Sequence, residues 1–107
     1  MSKTVRCAAA ALALLTAPAF AAGDGEAGRL KANTCMGCHG IPGYTNAYPT
    51  YRVPKLGGQS ADYLAAALKA YKSGERPHLT MRAQAANLSD QDIADIATFL
   101  AAVPEKK

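Results

Sequence analysis

Apolar residues recur at the spacing of an α-helix in three parts of the chain. A first helix is predicted from about Gly25 to Cys35. The segment 61–72 carries a second apolar face, formed by Leu64, Ala67, Leu68 and Tyr71. The segment 90–102 carries a third, formed by Ile93, Ile96, Ala97, Leu100 and Val103. No segment alternates apolar and polar residues as a half-buried strand does, so the pattern predicts an all-α fold.

Residues that cap helices stand at the ends of these segments. Asp24, Ser60 and Ser89 precede them and belong to the residue types preferred at the N-cap. Asp92 follows Ser89 by three positions, the spacing of a capping box. Gly74 follows the second segment and predicts a C-terminal cap there. The boundaries of the three helices are therefore predicted from local chemistry as well as from periodicity.

The segments between the helices are rich in Gly and Pro. The longest runs from Gly40 to Gln59, and a loop of that length in so short a chain indicates a function or an object that it wraps. The segment 81–87 is predicted to form a short extra helical turn. Gly28, inside the first helix, costs ~1 kcal/mol relative to Ala, and it is either a chance glycine or a place where another helix approaches closely.

The first 21 residues differ from the rest. Lys3 and Arg6 precede an apolar Ala/Leu run, and Ala19 and Ala21 form an A-x-A site, which is typical of a cleaved secretory signal peptide. An uncleaved membrane anchor is the alternative, because the uncharged run 7–23 has 17 residues, the lower limit for a spanning helix. We expect cleavage, which leaves one domain at 22–107, a periplasmic location and no membrane span.

The composition of the mature domain points to something that completes its core. It has 86 residues (22 to 107), no Trp and few large apolar side chains, and a chain this short often needs a staple. Removing Lys3 and Arg6 from 12 basic residues leaves 10 against 8 acidic ones, a net charge of +2. No block of basic residues stands out, so no nucleic-acid partner is expected.

The chemistry is concentrated in "CMGCH", residues 35–39. Cleavage of the signal removes Cys7 and leaves Cys35 and Cys38 in an oxidising compartment. A zinc site needs about four ligands, and His78 is the only other His besides His39. A thioredoxin-like dithiol needs a βαβ unit that the chain does not predict. A plain disulfide stays possible, but it leaves His39 unexplained.

The spacing C-x-x-C-H is the signature of covalent haem attachment. Cysteines at i and i+3 lie on one side of a helical turn and can reach two vinyl groups on one porphyrin edge, and His39 then faces the iron. The motif therefore predicts one haem c, attached through two thioethers, that fills the missing core. Met36 lies at the attachment edge, so the second axial ligand is Met81 or His78, and spacing alone does not decide between them.

Three stretches carry a resemblance to a known family. They are "CMGCHG", "VPKLGGQSADYLAAALKAYKSGER" and "MRAQAANLSDQDIADIATFLA". Together they resemble class I cytochromes c, in particular the small bacterial periplasmic single-haem kind and the halves of two-haem periplasmic cytochromes. The resemblance covers nearly the whole mature chain. It implies the all-α cytochrome c fold, with three main helices and long loops wrapped around one covalently attached haem.

The resemblance also implies roles for individual residues. Met81 matches the axial methionine, and Pro54 matches the proline whose carbonyl holds the second ring nitrogen of the axial histidine. Leu56 matches an apolar residue that packs on the haem. Gly28 matches the position where the first and last helices of the family cross.

One departure is the loop that carries Tyr44, Tyr48, Tyr51 and Arg52, which is longer than in the shortest members of the family. We predict that these residues either hydrogen-bond the haem propionates or lie at the surface.

The function implied is electron transfer rather than catalysis, because two axial ligands leave no open position on the iron. Redox partner proteins are expected: a cytochrome reductase complex, an oxidase or a periplasmic dehydrogenase. A monomer is expected. Basic residues are predicted to surround the exposed haem edge and attract an acidic partner, namely Lys55, Lys69, Lys72, Arg76 and Arg82. The alternative function is a haem-based ligand-binding or sensing protein, or the electron-entry subunit of a larger oxidoreductase complex.

Overall fold

The structure is a computed structural model that describes residues 23–41, 43–47 and 50–104. The predicted signal peptide and Tyr48 lie outside these residues. The elements in chain order are α1 (Gly25–Lys31), α2 (Asn33–His39), β1 (Thr45–Ala47), β2 (Thr50–Arg52), α3 (Ala61–Ser73), α4 (Leu79–Ala85) and α5 (Asp90–Ala102). Helices dominate, as predicted. None of the helices in this part of the chain is long and apolar enough to cross a membrane.

The predicted helix caps are present. The Asp24 carboxylate accepts from two backbone N–H groups in the first turn of α1, at 2.9 and 3.3 Å. The Ser60 hydroxyl caps α3 in the same way, and Gly74 ends that helix at φ 87°, a left-handed conformation that glycine adopts without strain. Ser89 and Asp92 exchange both hydrogen bonds of a capping box at the start of α5.

Helix α1 crosses α5 in direct backbone contact. A Cβ on the buried Gly28 would lie 1.9 Å from the carbonyl oxygen of Asp95. A Cβ on Gly23 would lie 2.1 Å from the carbonyl oxygen of Ala94. These distances leave room for a hydrogen atom only, so the glycine inside the first predicted helix marks the helix crossing, as the resemblance implied.

The core lies between α5 and the helices packed on it. Its buried cluster consists of Ala32, Leu64, Ile96, Ala97 and Leu100. Most of the predicted apolar face of α5 is therefore buried, and each large side chain in it contributes about 1.5–3 kcal/mol by leaving water. Val103, the last residue of that predicted face, is only half-buried because the helix ends before it.

The prediction of one helix from Gly25 to Cys35 is wrong, because the chain turns at Ala32. There φ is −82° and ψ is 1°, outside the helical range, and a second helix follows. Ala32 is fully buried in the core, and the next two residues, Asn33 and Thr34, favour helices less than their predecessors do. Packing of Ala32 therefore divides a segment whose apolar pattern is continuous.

The expectation that no strands form is also wrong. β1 and β2 pair antiparallel, with Thr45 opposite Arg52 and Ala47 opposite Thr50. The backbone N–H of Val53 donates to the Tyr44 carbonyl at 3.0 Å and extends the pair. Three-residue strands are too short to show a period of two in sequence, because each has only one half-buried residue between two exposed ones.

The segment after β2 is tied to the end of α5. The Gly58 N–H donates to the Leu100 carbonyl at 3.1 Å. Gly58 has φ 81°, which favours glycine. A Cβ on the neighbouring Gly57 would lie 3.1 Å from Cγ1 of Val103. The chain from Pro54 to Gly58 is therefore held against the C-terminal helix.

Ion pairs close the crossing of α1 and α5. Lys31 Nζ lies 2.6 Å from Oδ2 of Asp95 and 2.9 Å from Oδ1 of Asp92. Asp95 Oδ1 also accepts from the Asp24 backbone N–H and from the Gln91 amide, each at 2.8 Å. These donors, Lys31 foremost, lower the pKa of Asp95 to about 2. The ionised carboxylate is therefore part of the folded structure.

We expect Gly28→Ala to destabilise the folded protein, because its Cβ would overlap the Asp95 carbonyl and force the helices apart. Overpacking of this kind costs roughly 1–3 kcal/mol or more, measured by urea unfolding of the haem-loaded protein. Gly25→Ala is the matched control on the same helix, since its Cβ meets only Cγ2 of Thr98 at 3.7 Å. Equal stability of the two variants would contradict the close crossing.

We expect the free energy of unfolding to fall as the pH decreases from about 4, the ordinary range of an Asp, towards about 2, the folded value for Asp95. The unfolded chain takes up a proton in this range before the folded chain does, so acid favours unfolding. In Asp95→Asn this part of the slope disappears. Asp62→Asn, at an exposed position of α3, keeps the wild-type slope. Urea unfolding at a series of pH values measures the pH dependence of the free energy of unfolding. An unchanged slope in Asp95→Asn would show that Asp95 does not cause it.

Candidate functional site

Helix α2 carries two thiols and an imidazole in its last five residues. Cys35 and Cys38 are three positions apart on one helix, so their side chains lie on the same side of it. Both are half-buried, and their sulfurs form no disulfide. Cys35 packs against the buried core cluster together with Met36. The two thiols thus lie on one side of α2, and the thiol of Cys35 is at the edge of the core.

The chemistry of Cys35 is unlike that of a redox-active thiol. Burial raises the pKa of the Cys35 thiol above its ordinary value. Catalytic dithiols work through a lowered pKa, which supplies the nucleophilic thiolate. The environment of Cys35 therefore disfavours the thioredoxin-like interpretation of the two cysteines.

His39 is oriented by a backbone carbonyl. Its Nδ1 lies 2.7 Å from the carbonyl oxygen of Pro54. A carbonyl can only accept, so Nδ1 carries the proton and donates it, and Nε2 keeps its lone pair. Histidines that bind metals are commonly held in this way, by a hydrogen bond to the other ring nitrogen. The contact predicted for Pro54 is thus present, and it leaves His39 with one nitrogen available as a ligand.

Leu56 lies on the same segment as Pro54. It is half-buried and packs against the core cluster, as Cys35 does. The link between Gly58 and Leu100 holds this segment in place. An apolar side chain is therefore present near α2, where a flat apolar cofactor attached to the helix would need one.

Met81 lies in the first turn of α4 and is half-buried. Its backbone N–H donates to Nδ1 of His78 at 3.3 Å, so the His78 side chain is the N-cap of the helix. Sequence analysis missed this role because His is not among the residue types preferred at N-caps. The segment 78–81 therefore combines both predicted alternatives for the second axial ligand, and one of them supports the backbone of the other.

The predicted pocket residues of the Tyr-rich loop have different surroundings. The Tyr51 hydroxyl donates to Oγ1 of Thr80 at 2.9 Å, which joins β2 to the residue before Met81. Tyr44 is half-buried and takes part in the strand pair through its backbone. Arg52 is exposed on β2. Of the three predicted pocket residues in this loop, the structure thus brings Tyr51 to the Met81 segment.

These side chains make up a donor set suited to haem. Two adjacent thiols can form thioethers, and imidazole nitrogen and methionine sulfur are the axial ligands of c-type haems. A cytochrome c family model matches residues 26–104.

The chain belongs to the cytochrome c family.

Its cofactor is accordingly a covalently attached haem c, and the family consists of haem-binding electron-transport proteins. Cytochrome c4 of Pseudomonas aeruginosa is 46% identical over 87 residues, which cover 81% of this cytochrome c and 42% of that protein. Cytochrome c-554(548) of Halomonas halodenitrificans is 48% identical over 81 residues, which cover 73% of this chain and 94% of that one. The chain thus spans less than half of the first relative and nearly all of the second.

A solved structure shares the fold. The crystal structure of reduced recombinant cytochrome c4 from Pseudomonas stutzeri superposes with a TM-score of 0.58 at 26% identity. The superposition covers 78% of this chain and 51% of that chain. The cytochrome c fold predicted from the three sequence stretches is confirmed.

We expect each single variant, Cys35→Ala and Cys38→Ala, to keep one thioether and the double variant to keep none. Extraction of the denatured protein with acidified organic solvent then removes haem from the double variant only. The pyridine haemochrome band moves to longer wavelength in each single variant, because one vinyl group stays unsaturated. Met36→Leu, between the two cysteines, is the control and keeps the wild-type band. A single variant with the wild-type band would show that its cysteine carries no thioether.

Proposed function

We propose that the protein is a periplasmic electron carrier whose single haem c is bound by Cys35 and Cys38 and ligated by His39 and Met81. One observation carries the proposal. His39 directly follows the second thiol and donates from Nδ1 to the Pro54 carbonyl, which leaves Nε2 available to the iron. A redox dithiol or a disulfide would not require this arrangement of the imidazole, and the described residues contain no group of three His, Cys, Asp or Glu side chains that could hold zinc.

The hydrogen bond to Pro54 gives His39 two properties that a haem ligand needs. It selects the tautomer with a lone pair on Nε2. It also limits rotation of the ring, because the acceptor belongs to a segment that is tied to α5 through Gly58. A ligand that is oriented before the iron arrives costs less entropy on binding.

The tautomer of His78 supports Met81 as the second axial ligand. Nδ1 of His78 accepts from the Met81 backbone, so in the neutral ring the proton sits on Nε2. A protonated nitrogen offers no lone pair to a metal. Met36, the other methionine among the described residues, packs against the core cluster. We therefore propose the Met81 thioether, and not the His78 imidazole, as the second axial ligand.

The bound haem supplies reversible uptake and release of one electron at its iron. The chain's own residues determine how that electron is held. A methionine thioether stabilises the reduced state and raises the reduction potential relative to a second imidazole. With His39 and Met81 as its two protein ligands, the iron would have no position left at which oxygen or a substrate could bind directly. This arrangement fits a carrier and not an enzyme.

A periplasmic location rests on the sequence of residues 1–21, with its charged start, apolar run and A-x-A site. Thioether attachment also suits an exported protein, since the two thiols are consumed and cannot pair wrongly in an oxidising compartment.

Redox proteins are the partners that we propose, with a reductase complex, an oxidase or a periplasmic dehydrogenase as the candidates. Two of the basic residues predicted to attract such partners make contacts within the protein. Lys72 donates to the Leu88 carbonyl. Arg76 donates to the Tyr63 hydroxyl at 3.4 Å and lies over the ring of Tyr71 at 4.8 Å. Arg82 is exposed beside Gly74. We propose Arg82, which is exposed, as one of the predicted basic residues that attract an acidic partner.

We expect Met81→Ala to abolish the weak long-wavelength absorption band of methionine bound to oxidised haem iron, because the thioether is removed. The reduced variant should bind carbon monoxide readily, and its reduction potential should fall. Optical redox titration of the matured protein measures all three effects.

Met36→Leu is the control and should retain the band, resist carbon monoxide and keep the potential of the wild type. If Met81→Ala keeps the wild-type spectrum, the assignment of Met81 is wrong and a bis-histidine carrier is favoured. Ready binding of carbon monoxide by the wild type would favour the ligand-binding alternative.

A further inference from the structure

A histidine side chain holds the start of the helix that carries Met81. His78 has an extended backbone, with φ −166° and ψ 107°, and its carbonyl accepts from the Arg82 N–H at 2.8 Å. Its Nδ1 accepts from the Met81 N–H at 3.3 Å. Both its main chain and its side chain therefore satisfy backbone donors of α4, a helix of only seven residues that has little stability of its own.

Two tyrosines from different elements pack on the His78 ring. Tyr51, on β2, meets it edge-on with ring centres 4.8 Å apart. Tyr71, on α3, meets it edge-on at 6.2 Å. Edge-to-face packing of this kind is the favoured geometry of aromatic pairs. We call Tyr51, His78 and Tyr71 the aromatic brace.

The brace is continued by polar contacts on both sides. The Tyr51 hydroxyl donates to Thr80, the residue next to Met81. On the other side the Arg76 guanidinium lies 4.8 Å above the Tyr71 ring, an attractive cation–π contact. Residues 78–81 are thus held by the strand pair and by α3 at once.

We propose that His78 is a positioning residue for Met81, and that the aromatic brace keeps the methionine on the iron against competing ligands. The inference rests on the proposed function, because it takes Met81 as the axial ligand. A thioether is a weak ligand, so the bond between the Met81 sulfur and the iron opens from time to time. The sulfur rebinds before a competing ligand does only if the Met81 backbone stays in place. The Nδ1 cap restrains the N–H of Met81 itself, and the two tyrosines restrain the ring that provides the cap.

His78 both accepts a hydrogen bond from the helix backbone and packs its ring against two tyrosines, which the usual N-cap residues cannot do. Asn and Ser supply an acceptor for the helix but present no ring to Tyr51 and Tyr71. Phe supplies a ring but no acceptor. Only an imidazole with its proton on Nε2 does both, so substitutions can separate the two contributions.

The test measures how fast free imidazole displaces methionine from the oxidised, haem-loaded protein, followed by loss of the long-wavelength band. We expect the displacement rate to rise by about tenfold in His78→Phe, where the N–H of Met81 loses its partner. His78→Asn keeps the cap and loses the ring contacts, and we expect a smaller increase, of about threefold. Tyr51→Phe, which loses only the hydrogen bond to Thr80, should behave like His78→Asn. Gln84→Ala, exposed on the same helix, is the control and should match the wild type.

Urea unfolding of each variant separates positioning from general stability. A purely structural role would lower the free energy of unfolding and leave the displacement rate at the wild-type value, and that result would overturn the inference. Wild-type rates in both His78→Asn and Tyr51→Phe would overturn it as well, even if His78→Phe did not fold.

A wrong assignment of the axial ligand would give a different set of results from a refuted brace. If the wild type lacks the long-wavelength band, or if Met81→Ala keeps it, the ligand assignment is wrong and the inference falls with it. If the band depends on Met81 but the His78 and Tyr51 variants exchange as the wild type does, the carrier proposal stands and only the brace is refuted.

Discussion

The rest of the structure depends on the direct backbone contact between α1 and α5. With no side chain at Gly28, the two helices approach until a hydrogen atom fills the gap to the Asp95 carbonyl. The contact brings Lys31 to the carboxylates of α5 and buries Ala32 at the end of α1. The chain turns at that buried residue, and α2 begins with its thiols and His39 along the edge of the core. A close approach between two helices thereby determines where the cofactor is attached.

Features that depend on local chemistry could be predicted from the sequence. The start and end of α3 and α5 follow from Ser60, Gly74 and Ser89, whose side chains or conformations act on neighbouring backbone groups. The spacing of the two cysteines and His39 needs only one helical turn to place the three side chains together. The apolar faces of α3 and α5 were also recognisable, since periodicity survives in any environment that buries one side of a helix.

Features that depend on contacts between distant residues could not be predicted from local patterns, although the family resemblance implied two of them, the helix crossing at Gly28 and the contact between His39 and Pro54. Ala32, where the chain turns, is buried in one cluster with Leu64 and Ile96, and no Gly or Pro marks the turn in the sequence. The strand pair is held by backbone hydrogen bonds. A strand of three residues is too short for its side-chain pattern to reveal that pairing. The cap supplied by His78 was missed for a related reason: its ring is selected by two tyrosines that stand 27 and 7 positions earlier in the chain. The family resemblance predicts Met81 as an axial ligand, but it carries no information about the contacts that hold Met81 in place.

The two sides of the site are held by different parts of the fold, and the hydrogen bond between Gly58 and Leu100 belongs to only one of them. The His39 side is anchored, through Pro54 and Gly58, to the C-terminal helix and hence to the best-packed part of the molecule. The Met81 side is anchored to α3 and to a short strand pair near the surface. Local opening is cheaper where fewer buried contacts must break. If His39 and Met81 ligate the iron as proposed, the Met81 side is therefore the one expected to open first, while the His39 side stays in place.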